Sequence, residues 1–289
     1  MYRYVKFDDI EKDKWNGCVH YAHNGNIYGY YWYLKAVIKE WDAVVEDDYE
    51  SVMPVLNRAL TTEEYSLLPT LGPYSVNVLN KTRITSMLEL CQNHQIASWY
   101  PVTTAIGDRY LSDYDKKTTS RCILNVGKGY DTLSSMYRED VHESLSAGAP
   151  EFMKLVSGIK PEKGINEMKL PLYTKNAMLR IMYNAMHRGI GFSTGAVDSR
   201  DERILALTFY LVSHNTFYEL YSYDKTPKPL QHTLVDLTIR NHAGKPMKII
   251  TYNNSDLYKS FGFEEEHSTR ICFHNNWKNR FKEKLNLPY

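Results

Sequence analysis

The chain has 289 residues, of which 43% are hydrophobic and 24% charged, so it can bury a core as ordinary soluble globular proteins do. A net charge of +1 gives no electrostatic case for binding nucleic acid or an anionic membrane. No apolar run approaches the roughly 20 residues that cross a bilayer, and the four cysteines lack metal-type spacing. We therefore expect a cytoplasmic protein of two domains, with no membrane span, no metal site and no permanently bound cofactor.

The first 130 residues predict one α/β module. Strands are predicted where β-branched and aromatic residues cluster, and helices where apolar residues recur at helical intervals. The predicted strands are at 3–7, 41–47, 51–60, 67–79, 97–105 and 119–127, and the predicted helices at 9–22, about 32–39 and 82–95. Pro54 indicates an edge position or a bulge in its strand, because proline cannot donate to a sheet ladder.

Residues 131–171 predict a helical connector followed by a polar linker, and residues 172–289 predict a second module. That module has a helix at 172–189, then strands at 191–199, 204–214 and 216–224, a helix at 230–243, a strand at 246–254, a short helix at 255–262 and a strand at 269–274. Three meandering strands, a crossover helix and a parallel strand form a mixed sheet with a splayed edge. We predict an α/β (α+β) chain of two similar modules, each a mixed, mostly antiparallel twisted sheet flanked by helices.

The short helix near the end of the chain carries a family signal. In LYKSFGF, Tyr258 lies about one turn before Gly262, which Phe263 follows. Glycine can take the positive φ that ends a helix, and the tyrosine can direct its hydroxyl towards a cleft. This helix and the order of elements resemble the GNAT (N-acetyltransferase) superfamily. Two such modules in tandem resemble the Fem-type peptidoglycan aminoacyltransferases, and the stretch at 24–55 is similar to an uncharacterised, mainly Bacteroidetes family of GNAT-like proteins.

The resemblance implies transfer of an acyl or aminoacyl group to an amine in a cleft between the modules. GNAT enzymes hold the diphosphate of acyl-CoA on backbone amides at a glycine-rich helix start. The corresponding segment here, 223–233, has no glycine and two prolines, which leaves Lys225 and Lys228 as the cofactor-binding candidates. Fem-type enzymes use aminoacyl-tRNA, but segment 137–148 is acidic, so we expect tRNA as a partner only if that donor is retained.

The sequence offers more candidate residues for the acceptor amine than for the acyl donor. An amine nucleophile needs a base, and the departing group needs an acid. Glu219 is the predicted base, with His214 and His232 as alternatives, and Tyr258 is the acid by resemblance. The candidates for substrate binding are Tyr221 and Tyr223, placed by strand alternation on the face of Glu219, Asn253 and Ser255 at the end of the next strand, and Tyr30, Trp32 and Tyr33 in the aromatic N-terminal stretch.

Each of these residues also has a structural interpretation. Glu219 can be a solvated strand residue, Tyr258 a packing aromatic, and the tyrosines and tryptophan at 28–33 core residues. The alternative to an N-acyltransferase is therefore a non-catalytic protein on a degenerate GNAT scaffold that binds a cell-wall or polysaccharide fragment. On either hypothesis the substrate is a small molecule, a peptide or a saccharide.

Overall fold

The computed structural model describes residues 1–97, 99–148, 151–226, 230–253 and 255–273. The chain divides into two units: unit 1 contains Met1–Thr119 and the described residues from His267 onward, and unit 2 contains Ser120–Glu266. The predicted boundaries at 130 and 171 do not coincide with this division. The described residues of the segment 131–171, predicted as a connector, belong to unit 2, and those at 267–273 belong to unit 1.

Unit 1 is built on four antiparallel strands and the helices that pack on them. The strands are β1 (Tyr2–Val5), β2 (Asp42–Glu46), β3 (Ser51–Val55) and β4 (Tyr74–Ser75), paired in that order. The helices are α1 (Lys12–Tyr21), α2 (Tyr31–Ile38), α3 (Thr62–Leu67) and α4 (Lys81–His94). A separate strand, β5 (Trp99–Pro101), pairs antiparallel with Arg270–Cys272 of the last strand of the chain. β2 and β3 are buried along their whole length.

Pro54 lies in β3 where the strand has a partner on one side. It faces Ala43 of β2, whereas β4 pairs only with Ser51 and Val52. The missing backbone N–H of proline therefore interrupts no ladder on the β4 side, as a locally edge-like position requires. β3 itself lies between β2 and β4, so the expectation of an edge strand is wrong for the strand as a whole; Pro54 is tolerated because β4 is too short to pair with it.

Unit 2 contains six neighbouring strands of an eight-stranded sheet, and helices connect several of these strands along the chain. The elements are β6 (Asp115–Asn125), α5 (Tyr130–Ser134), α6 (Glu139–Ser146), β7 (Met153–Ser157), α7 (Pro161–Ile165), α8 (Leu172–His187), β8 (Gly191–Asp198), β9 (Ile204–Ser213), β10 (Thr216–Asp224), α9 (Gln231–His242), β11 (Lys248–Thr251), α10 (Ser255–Lys259) and β12 (Glu264–Cys272). The sheet order is β5–β12–β6–β11–β10–β9–β8–β7, and the division between the units falls inside β6 and β12.

The sheet of unit 2 is antiparallel except where the crossover helix α9 joins β10 to β11. That parallel pairing is short, because only Thr216–Tyr218 face Lys248–Ile250. Beyond it β10 continues to Asp224 beside β9, so β10 and β11 separate after Tyr218. The predicted order of elements and the splayed edge of a mixed sheet are confirmed.

The core of unit 2 on one side of this sheet is aromatic. It contains Tyr210, Phe217, Val235, Ile239, Ile249, Tyr258, Phe261 and Phe263, among other buried residues. Within the described residues, no helix combines the length and the apolar composition needed to cross a bilayer.

Candidate functional site

Glu219 lies at the point where β10 leaves its parallel partner. It directly follows Tyr218, the last residue of β10 paired with β11, and it faces Tyr210 of β9. Its side chain is buried, with 4% of the residue exposed. A carboxyl group in such a position needs hydrogen-bond partners, since an isolated buried charge is costly.

Two of the predicted site residues supply those partners. The hydroxyl of Tyr258, which is fully buried in α10, donates a hydrogen bond to Glu219 Oε2. Asn253 Nδ2 donates to Glu219 Oε1 at 3.1 Å, and Thr251 Oγ1 accepts from the Asn253 backbone N–H at 3.0 Å. The structure thus gathers Glu219, Tyr258 and Asn253 into one hydrogen-bonded group, which we call the Glu219 cluster.

Burial decides the acidity of this carboxyl group. Desolvation raises the pKa of Glu219 from 4.5 to about 7, although hydrogen bonds from Asn253, Ser222 and Thr251 oppose the rise. A carboxyl group with a pKa near neutrality can both accept and return a proton at physiological pH. Among the described residues, no group of three or more His, Cys, Asp or Glu side chains is arranged to hold a metal ion.

The predicted common face of Glu219 and Tyr221 is wrong. Glu219 faces Tyr210, whereas Tyr221 faces Phe209, because a β-bulge interrupts the register between Glu219 and Tyr221. Since Tyr210 and Phe209 are neighbours in β9, their side chains lie on opposite faces of the sheet, and so do those of Glu219 and Tyr221. Tyr223, which faces Leu207, lies on the Tyr221 side as well.

Tyr221 is a buried residue packed beneath α7. It is 3% exposed, and its hydroxyl has no hydrogen-bond partner among the described residues. A Cβ atom at Gly164 of α7 would lie 2.4 Å from Tyr221 Oη and 2.5 Å from Leu207 Cδ2. This glycine is what allows α7 to approach the sheet so closely.

We expect Gly164→Ala to destabilise the protein by about 1–3 kcal/mol, the usual cost of overpacking a core. Tyr221→Phe is expected to be neutral or stabilising, because it removes a buried hydroxyl that lacks a partner. The double variant is expected to recover part of the loss, since the nearest clash disappears with Oη. Urea denaturation of the four proteins measures this; a Tyr221→Phe variant as unstable as Gly164→Ala would contradict it.

The remaining residues predicted near this site do not join the cluster as described. Lys225 forms an ion pair with Glu167, with Nζ to Oε2 at 2.5 Å, and its Nζ lies 5.6 Å from the centre of the Tyr223 ring. Lys228 lies outside the described residues. Ser255 begins α10, and its side chain is not described.

The three aromatic candidates of the N-terminal stretch belong to unit 1. Tyr33 is fully buried, and its hydroxyl donates to the Leu67 carbonyl at 2.8 Å. Tyr30 and Trp32 are half-buried, and Tyr30 Oη lies 3.1 Å from His20 Nδ1. For Tyr33 this favours the core-packing interpretation.

The start of α9 is where a GNAT protein would hold the diphosphate of acyl-CoA. Here the carboxylate of Asp224 occupies the helix start: its Oδ2 accepts from the Gln231 backbone N–H at 3.1 Å, and its Oδ1 accepts from the Thr226 backbone N–H at 2.9 Å. A carboxylate at a helix N-terminus satisfies the donors that would otherwise bind phosphate. The described residues at this helix start therefore do not fit a diphosphate.

Asp224 was not among the sequence candidates, although an aspartate two residues before a threonine is a recognisable turn signal. A cavity of about 420 Å³ beside it is also lined by Asp140, Asp256 and Leu257, the last being the neighbour of Tyr258 in α10. His232, an alternative base, lines this cavity too, and burial lowers its pKa. His214 lies in the β9–β10 turn, with Nδ1 2.6 Å from Ser213 Oγ.

No family model and no curated protein matches the sequence. Solved structures, however, match the fold over nearly the whole chain. The crystal structure of FemX gives a TM-score of 0.62 at 10% identity, covering 96% of this chain and 98% of that chain. This protein has the tandem GNAT fold.

Two further structures support that assignment. A tandem GNAT protein from the clavulanic acid biosynthesis pathway gives a TM-score of 0.52 at 11% identity, covering 94% of this chain and 98% of that one. L-PGS from Bacillus licheniformis gives 0.56 at 8% identity, with 95% of each chain covered. At these identities the similarity concerns the fold alone, so the chemistry has to be argued from this chain's residues.

Proposed function

We propose that the protein is an acyltransferase of GNAT/Fem type, which moves an acyl or aminoacyl group onto an amine of a small molecule, peptide or saccharide in the cytoplasm. The observation that carries this proposal is the hydrogen-bonded pair of Glu219 and Tyr258 at the point where β10 and β11 separate. Open sheets of α/β proteins bind ligands at such strand ends. A carboxyl group with a pKa of about 7 is suited to general base catalysis there.

The pair supplies both proton transfers that the reaction needs. Glu219 accepts the proton of the acceptor amine as its nitrogen bonds to the acyl carbon, and Tyr258 gives its proton to the departing oxygen or sulfur as that bond breaks. The proton held by Glu219 then returns to Tyr258 along their hydrogen bond. The amine proton thus ends on the leaving group, and both side chains recover their starting state.

On this proposal the acceptor amine reaches the Glu219 carboxyl group by way of Asn253. Asn253 is exposed, whereas Glu219 is 4% exposed and Tyr258 is fully buried. An acceptor amine that replaces the Asn253 amide at Glu219 Oε1 would reach the base from the surface. On this proposal Asn253 is the contact that the substrate displaces.

The residues at the start of α9 limit which acyl donor we propose. Because Asp224 takes the backbone donor of Gln231, we propose a thioester or aminoacyl ester that is not anchored through a diphosphate at α9. The cavity beside Tyr258 is also lined by Arg138, whose Nη2 pairs with Asp140 Oδ2 at 2.8 Å, so it is Asp256 together with Asp224 that would repel a polyanion. Lys225 is ion-paired with Glu167 and does not offset this charge.

The test is a screen of donors against amines. The full-length protein is incubated with acyl-CoAs, acyl thioesters of pantetheine and aminoacyl-tRNAs, each with amino sugars and lysyl peptides, and amide products are detected by mass spectrometry. We expect a pantetheine thioester or an aminoacyl ester to serve at least as well as the matching acyl-CoA. No amide product from any pair, or strict dependence on the CoA nucleotide, would overturn the proposal as stated.

The burial of the Glu219–Tyr258 pair favours a second candidate, a non-catalytic protein that binds a cell-wall or polysaccharide fragment. In that case the pair stabilises the core without meeting substrate. Binding of peptidoglycan fragments or oligosaccharides, measured by calorimetry, would then be unchanged in Glu219→Gln, and the donor screen would yield no amide.

A further inference from the structure

A cavity of about 510 Å³ lies at the β7 edge of the unit 2 sheet, and the proposed transfer makes no use of it. Its floor is apolar: Val156 of β7, Val197 of β8 and Ile204 of β9 line it, and Val197 pairs directly with Ile204. Small-molecule sites typically enclose about 300–1,000 Å³ and combine apolar walls with a few polar groups. The size and floor of this cavity fit that description.

One wall of the cavity, the segment 158–163, is fixed to the sheet by hydrogen bonds. The Gly158 backbone N–H donates to the Ser193 carbonyl at 3.2 Å, and Ser193 Oγ donates to the Ile159 carbonyl at 3.1 Å. Ile159 packs on Gly195 so closely that a Cβ there would lie 2.4 Å from Ile159 Cδ1. Because Ser193 is 2% exposed, these contacts anchor the wall to the buried part of the sheet, and the cavity is preformed.

Three lysines line the cavity together: Lys154 from β7, and Lys160 and Lys163 from the wall. All three are exposed, and in the described part of the chain none of them forms an ion pair. Asp198 and Glu202 also line the cavity. Arg200 Nη2 pairs with Asp198 Oδ2 at 2.5 Å, so the three ammonium groups outnumber the remaining carboxylate of Glu202 and the lining keeps a net positive charge.

We propose that this cavity binds an amphiphilic anion, a carboxylate or a phosphate ester carried on an apolar body. The apolar floor of Val156, Val197 and Ile204 receives the body, and the three ammonium groups bind the anionic head as point charges. A neutral ligand would leave the ammonium groups without a partner, and inorganic phosphate would leave the floor empty. The site is independent of the Glu219 cluster.

The experiment uses the full-length protein and four probes below their micelle concentrations: octyl phosphate, octanoate, octanol and inorganic phosphate. Isothermal titration calorimetry measures each affinity. We expect octyl phosphate, octanoate or both to bind at least about tenfold more tightly than octanol and than inorganic phosphate. Binding of octyl phosphate alone identifies a phosphate ester, and binding of octanoate alone identifies a carboxylate. A preference for octanol, or equal affinity for inorganic phosphate, would overturn the proposal.

Matched triple variants distinguish binding in the cavity from non-specific attraction to positive charge on the surface. Lys154→Gln, Lys160→Gln and Lys163→Gln together are expected to lower the affinity for the bound anion about tenfold or more, since each exposed charge pair contributes up to roughly fivefold. The control replaces the exposed Lys81, Lys128 and Lys248 by glutamine and changes the net charge equally. Equal losses in both variants would show non-specific attraction. Val197→Phe, which fills the floor, is expected to abolish binding while all lysines remain.

Discussion

Glu219→Gln is expected to lower the rate of acyl transfer by a factor of about 10²–10⁴, the usual contribution of a general base. Glutamine keeps the size of the side chain and can still accept the Tyr258 hydrogen bond, but it cannot take a proton from the acceptor amine. Tyr258→Phe is expected to cost a similar factor, because the departing oxygen or sulfur loses its proton donor. Initial rates of amide formation at saturating donor measure both effects.

The pH profile separates a proton-transfer role from a packing role. Because burial raises the pKa of Glu219 to about 7, we expect the wild-type rate to rise between about pH 6 and pH 8 as the carboxyl group ionises. The residual rate of Glu219→Gln is expected to lack that rise. Glu143→Gln, an exposed glutamate in α6, is the matched control and is expected to leave rate and profile unchanged. A folded Glu219→Gln variant with the wild-type rate would contradict the assignment.

The sequence predicts much of unit 2 because its elements carry strong local signals. β8, β9 and β10 are rich in β-branched and aromatic residues, and their observed bounds follow the predicted ones closely. Gly189, Gly244 and Gly262 end helices with positive φ, as their positions suggest. Where local propensity, turn residues and tertiary packing agree, a single sequence is enough.

In the segment 131–171 the local sequence signals are not sufficient to predict the structure. The sequence indicates helices and a linker there, but the segment also contains the edge strand β7, which pairs with β8 about 40 residues later. Only five residues long and largely exposed, β7 has no periodic pattern to distinguish it from a loop. β7 is a strand because it pairs with β8, and this long-range pairing cannot be predicted from the local sequence of β7.

The candidate site was predictable in its members and not in its geometry. Element order and the resemblance indicate Glu219, Tyr258 and Asn253, and the structure brings them together. The β-bulge after Glu219 was not predictable, because no glycine or proline marks it. Strand alternation applied across the bulge therefore places Tyr221 on the wrong face.

The free energy of unfolding is expected to depend on pH through the same carboxyl group. Glu219 has a pKa of about 7 when folded and 4.5 as its ordinary value, so between these pH values the folded state holds a proton that the unfolded state has lost. The contribution of this group is therefore fully present below about pH 4.5 and is lost as pH rises through 7. The total loss is about 3 kcal/mol.

Glu219→Gln removes this titration, so the free energy of unfolding of the variant relative to the wild type is expected to rise by about 3 kcal/mol between pH 4 and pH 8. The other titrating groups of the chain cancel in that difference, and Tyr210, which faces Glu219, does not ionise in this range because burial raises its pKa. Urea denaturation followed by circular dichroism at each pH measures the difference. Glu143→Gln, treated in the same way, is expected to show a flat difference. A flat difference for Glu219→Gln as well would mean that folding leaves the pKa of this carboxyl group at its ordinary value of 4.5, and then neither its stabilising proton nor its role as a base near neutrality would hold.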